Sequence, residues 1–77
     1  MRRAVVFEAP REGYGIDQIA DKAMTVGELI EFLQDFDEDT LFVLSHDSGY
    51  TYGSINARTA VTTYEEQENG EFEAADW

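Results

Sequence analysis

Within residues 25–55 the apolar residues change their period once, and that change constrains the fold more than any other feature. Val26, Leu29, Ile30, Leu33 and Phe36 follow the three-and-four spacing of one helix face, and Phe32 widens the stripe. Thr25, with Glu28 three residues later, forms a capping-box pattern. The hydroxyl takes the Glu28 backbone N–H while the Glu28 carboxylate reaches back to the Thr25 N–H. Gly27 falls in the first turn, where it is tolerated; in a helix interior it costs about 1 kcal/mol relative to Ala. Asp37, Glu38 and Asp39 follow at the negative end of the helix dipole, a placement unfavourable by roughly 0.3–1 kcal/mol each at low salt. The helix is therefore predicted to stop near Phe36.

After these acids the pattern is that of a strand. Residues 41–44 are an apolar run too short for a helix and rich in strand-forming side chains, and they read as a strand buried on both faces. Residues 46–49 carry turn chemistry, with Gly49 free to take a positive φ. Tyr50, Thr51 and Tyr52 return as a second strand, which completes a β-hairpin. The expected fold class is α+β, a single domain in which one central amphipathic helix packs on a small antiparallel β-sheet.

The flanking segments are less regular. Residues 3–7 read as a first strand ended by Pro10, and residues 10–15 as a turn and a flexible elbow. Residues 16–23, with Ile16, Ile19 and Ala20 at helical spacing, fit a short helix or an irregular arm. From Ile55 to Tyr64 the β-branched residues alternate as in a strand, with a break near Arg58. Asn69-Gly70 is a type I′ turn signal that would set Glu68 against Glu71 and Glu66 against Glu73. Like charges placed opposite weaken such a ladder. A frayed acidic tail over residues 67–77 is the alternative.

Length and charge then exclude several functions. At 77 residues the chain is near the size at which a core only just offsets chain entropy, so a homo-oligomer is an expected helper. It has no Cys, so disulfides and thiolate metal sites do not arise, and a reducing cytoplasm suits it. No apolar run of about 18 residues spans a membrane. The apolar stretch after Arg2 and Arg3 is too short for a secretory signal. Seventeen acids face five bases, a formal net charge of -12. Beyond Lys22 the one base is Arg58, against thirteen acids. Direct nucleic-acid binding needs a basic stripe, and none can be assembled here.

Several motifs name chemistry without supplying it. Ser45, His46 and Asp47 are the residue types of a hydrolase triad, but neighbours on a strand point to opposite faces, and His46 is the single histidine. Turn duty is the reading kept. Asp35, Asp37 and Asp39 match the first three ligand positions of an EF-hand loop. Thr40 and His46 then stand where that loop requires Gly and Glu. No metal, no other cofactor and no catalytic residue is assigned, and the chain is expected not to be an enzyme.

The residues Met24-Thr-Val-Gly-Glu-Leu-Ile-Glu31, Asp37-Glu-Asp-Thr40 and Val43-Leu-Ser-His-Asp-Ser-Gly-Tyr-Thr-Tyr-Gly-Ser-Ile55 resemble a group of small proteins encoded by bacteriophages and prophages. The resemblance covers the middle of the chain and carries over no functional residue. It implies a mobile-element product acting in a bacterial cytoplasm. Phage genomes also carry small acidic inhibitors of host defence, anti-CRISPR and anti-restriction proteins that mimic nucleic acid. By that analogy and by its charge, the chain is expected to bind a basic, nucleic-acid-binding surface of a host protein. Glu28, Glu31, Asp35, Asp37, Glu38 and Asp39 form the expected main contact, and Glu65, Glu66 and Glu68 a second patch. Tyr50 and Tyr52 flank the hairpin turn as aromatic anchors. The alternative is a structural or accessory phage protein that self-assembles through its hairpin and aromatic residues.

Overall fold

The computed structural model describes residues 1–77. In chain order the elements are β1 (Ala4–Phe7), α1 (Ile16–Ile19), α2 (Val26–Leu33), β2 (Leu41–His46), β3 (Thr51–Gly53), β4 (Tyr64–Glu66) and β5 (Phe72–Ala74). The fold is α+β, with two helices and two small sheets. The chain divides into two compact units, one of Met1–Pro10 and Met24–Thr59, the other of Arg11–Ala23 and Ala60–Trp77.

The first unit holds a three-stranded sheet in the order β1-β2-β3. Its two ladders run differently, which corrects the expected all-antiparallel sheet: β1 pairs parallel with β2, from Ala4↔Leu41 to Phe7↔Leu44, and β2 pairs antiparallel with β3. The reason is connectivity. β2 and β3 are joined by a tight turn, whereas α2 lies in the connection between β1 and β2, and a crossover of that kind delivers the next strand parallel. Pairing partners share a face, so Val5, Phe7, Phe42, Leu44 and His46 line one side of the sheet. Val6, Glu8, Val43 and Ser45 line the other.

α2 covers the first of these faces. Its start matches the sequence pattern: Glu28 N donates to Thr25 Oγ1 at 3.1 Å and Thr25 N to Glu28 Oε1 at 2.9 Å. Its end is earlier than Phe36. Past Leu33 the bonds tighten to the third residue back, Asp35 N to Phe32 O at 3.3 Å and Phe36 N to Leu33 O at 3.1 Å. Of the expected stripe, Leu33, Phe36 and Leu29 are the least exposed, and Phe32, which widens it, carries the ring contact to the sheet. Phe32 meets Phe7 at 5.8 Å between ring centroids and Phe36 at 6.0 Å, while Phe7 meets Phe42 edge-on at 4.9 Å. Val26 and Ile30 lie at its margin, 76 % and 52 % exposed. A sheet three strands wide does not cover a stripe this broad. β2 is correspondingly half-buried over residues 42–45, not buried on both sides, because α2 lies against one face only. No side chain of the protein reaches full burial.

The expected strand from Ile55 to Tyr64 is replaced, up to Thr59, by side-chain turns. Asn56 N donates to Thr59 Oγ1 and Arg58 N to Asn56 Oδ1, both at 2.8 Å. Asn and Thr offered the backbone local partners that outcompeted a ladder.

The second unit contains α1 and the β4–β5 ladder. α1 is a single turn, with Gly15 N donating to Gln18 Oε1 at 3.2 Å. β4 and β5 pair from Tyr64↔Ala74 to Glu66↔Phe72, and the ladder extends to Gln67 N donating to Glu71 O at 2.7 Å. This register is one residue away from the two-residue Asn69-Gly70 turn expected. Gly70 takes φ 86° and its N–H bonds Gln67 O at 2.9 Å, while Asn69 keeps a negative φ. Glu68, Asn69 and Gly70 thus form a three-residue loop, the turn with a left-handed last residue that is the next commonest hairpin connection. Beyond β5, Ala75 N donates to Thr63 O at 3.0 Å, Thr63 Oγ1 donates to Ala75 O, and Trp77 Nε1 donates to Tyr64 O at 3.3 Å. Ala75 and Trp77 thus bond back to the residues that open β4.

Candidate functional site

The acidic residues singled out in the sequence fall in two places. Glu28 and Glu31 project from α2, Asp35 from the turn that ends it, and Asp37, Glu38 and Asp39 from the turn that leads into β2. Thr40 N closes that second turn on Asp37 O at 3.0 Å. All six are exposed. The capping box at the start of α2 and the backbone hydrogen bonds of the two turns after it hold these carboxylates on an ordered backbone. Glu65 and Glu66 sit on β4 and Glu68 in its hairpin loop, in the other compact unit. The first unit carries eight acids against three bases and the second nine against two, so neither is the single source of the charge. Tyr50 lies in the β2–β3 loop and Tyr52 on β3, 82 % and 63 % exposed.

The motifs weighed in the sequence are not assembled into chemical sites. Ser45 and His46 stand on opposite faces of β2. The Ser45 hydroxyl donates to Glu8 Oε1 at 2.8 Å, and His46 Nε2 stands 3.3 Å from where a Cβ on Gly53 would lie. No group of three or more His, Asp or Glu side chains has the geometry to hold a metal ion, so Asp35, Asp37 and Asp39 do not converge.

One constellation was not anticipated. Glu8, one residue past β1, accepts Ser45 Oγ on one carboxylate oxygen and Ser48 N on the other, the latter at 3.1 Å. The Ser45 hydroxyl, then the Ser48 amide and then the charge of His46 lower the Glu8 pKa, outweighing desolvation. The turn it grips is strained: Asp47 and Ser48 have φ of 51° and 56°, left-handed values that only Gly adopts freely, before Gly49 at 89°. Glu8 thereby fixes the hairpin turn to the end of β1. Val6, Glu8, Pro10, Ser45, Gly49 and Tyr52 line an open cavity of about 620 Å³ on the sheet face away from α2. The sequence signal for Glu8 is absent locally, because its two partners lie 37 and 40 residues away.

No helix is long and apolar enough to cross a membrane. No protein-family model, no curated protein and no solved structure matches the chain.

Proposed function

We propose that this chain is a non-enzymatic acidic binder that occupies a basic, nucleic-acid-binding surface of another protein in a bacterial cytoplasm, and inhibits it by mimicking nucleic acid. The observation that carries the reading is the exposed carboxylate series from Glu28 to Asp39, set on a capped helix and its two following turns. A backbone ordered beforehand limits the entropy lost on docking. Repeated negative charge with no interleaved base costs the free protein some stability, and it supplies the field that steers a basic partner. Glu65, Glu66 and Glu68, in the other unit, form a second acidic patch. Tyr50 and Tyr52 offer the aromatic area that interface centres favour.

The experiment converts Glu31→Gln, Asp35→Asn and Glu38→Gln together, confirms the fold by circular dichroism, and measures binding to the basic protein captured by the unaltered chain. DNA or RNA is added as competitor. Binding by the unaltered chain is expected to weaken steeply with salt and to be displaced by polynucleotide, and the triple variant to bind at least about tenfold less tightly. Undiminished affinity of the variant at low salt, or no competition by nucleic acid, overturns the reading.

A further inference from the structure

β1 is an edge strand: it pairs with β2 on one side only. The side that is used follows from Leu41 N donating to Arg3 O at 2.9 Å. In a strand, successive residues turn their N–H and C=O groups to alternate sides. Arg3, Val5 and Phe7 therefore address β2, and Ala4, Val6 and Glu8 address the open edge. Ala4, Val6 and Glu8 are exposed, Val6 by 50 %. Protein edges are ordinarily blunted by shortness, a charge, a proline or a bulge. β1 is four residues long and has no charge, proline or bulge within it. Arg2 and Glu8, the charges at its two ends on this edge, are of opposite sign.

We propose that the open edge of β1 takes β1 of a second copy of this chain, antiparallel about a two-fold axis at Val5, so that the two three-stranded sheets become one. The register is chosen by the residues that flank the strand. Facing residues of an antiparallel pair share a sheet face, so a two-fold axis must fall on a residue and not between two. With the axis at Val5, Ala4 exchanges hydrogen bonds with Val6 of the second copy, and Arg2 stands opposite its Glu8, at both ends of the ladder. With the axis at Val6, Glu8 meets Ala4 and Arg2 meets Pro10, which has no N–H to give. Charge favours the same site. In a chain of net charge -12, residues 1–10 carry Arg2 and Arg3 against Glu8 alone, so two copies repel least along this edge. The two-fold arrangement closes on itself and leaves no β1 edge for growth into a filament. This assembly does not depend on the acidic surface binding a partner.

The test uses the full chain. Sedimentation equilibrium of the unaltered protein, from micromolar to millimolar concentration, is expected to show a monomer–dimer equilibrium. Arg2→Glu, which sets like charges opposite at both ends, is expected to raise the dimer dissociation constant about tenfold. Because the chain has no cysteine, Val5→Cys and Val6→Cys report the register under air oxidation. Val5 on the axis is a non-hydrogen-bonded pair with Cα atoms about 4.5 Å apart, within disulfide reach, so Val5→Cys is expected to cross-link and Val6→Cys is not. A single-chain mass at every concentration, an unchanged constant for Arg2→Glu, or cross-linking by Val6→Cys in place of Val5→Cys overturns the proposal.

Discussion

The β1–β2–β3 sheet and the β4–β5 ladder are held together by different terms. In the first, β1 and β2 supply Val5, Phe7, Phe42 and Leu44 to one face, and Phe32 of α2 packs on it. Closing β1 on β2 joins Ala4 to Leu41 across a long crossover, so loop entropy is lost before apolar burial is gained. In the second, the strands read Tyr-Glu-Glu and Phe-Glu-Ala, and Glu65 stands directly opposite Glu73. That ladder opposes like charges, and its closure is cheap because a three-residue loop brings its ends together. Thr63, Ala75 and Trp77 then add hydrogen bonds beyond the strands. Apolar packing from several side chains can sustain a distant pairing, while a ladder with Phe72 as its one half-buried strand residue depends on turn chemistry and short closure.

The largest effect should follow from removing the aromatic that links sheet and helix. Phe7→Ala deletes the contacts to Phe32 and Phe42 together, and for a half-buried ring the loss is about 2–3 kcal/mol, below the range for a fully buried one. Urea unfolding measures the total, and amide hydrogen exchange locates it. β1 and β2 amides should lose protection first. If β4 and β5 amides lose protection equally, the two sheets unfold as one cooperative unit, and the contrast between their forces has no counterpart in separate stability.

A smaller and opposite effect is expected in the ladder. Glu73→Lys replaces a facing pair of like charges with an opposite pair, which should stabilise by roughly 0.2–1 kcal/mol. Glu71→Lys changes net charge equally but faces Gln67, and so separates the cross-strand term from general relief of repulsion. Equal gains from both substitutions would show that the ladder responds to total charge and not to its pairing.

The same division explains which parts of the molecule were legible in the sequence. The Thr25–Glu28 box, the amphipathic stripe and the positive φ of Gly49 each depend on neighbours within a few residues, and each is present. The parallel partner of β1 was not legible, because no local period records which distant strand a segment joins. Nor was the contact of Phe32 with Phe7, which exists only once α2 meets β1. Asn69-Gly70 marked a hairpin correctly but placed its register one residue off, since the same dipeptide serves both a two-residue turn and a three-residue loop. Of the candidate site, the exposed acids on α2 and its turns followed from the stripe opposite them. Glu8 did not, because its role exists only once β1 lies beside β2.

Glu8 is also where the first unit borrows the method of the second, a hydrogen-bonded turn without burial, and it carries the smallest expected effect. Glu8→Gln keeps the side chain's size but replaces a carboxylate acceptor with an amide, whose one oxygen cannot serve both Ser45 and Ser48 as well. The variant should be modestly less stable at neutral pH. Its pH dependence is the sharper reading. Ser45, Ser48 and His46 depress the Glu8 pKa in the folded chain, so the folded state favours the ionised form. The resulting stability is complete above the ordinary range of a glutamate and is lost as pH falls through the depressed folded value. Acidification also relieves the repulsion of the other carboxylates, but it does so in both proteins. The difference between them isolates Glu8. Urea unfolding of both across the acidic range should show the gap narrowing as pH falls through that window. A gap that stays constant would mean that Glu8 acts through its shape and not through its charge, and that the strained Asp47–Ser48 turn stands without it.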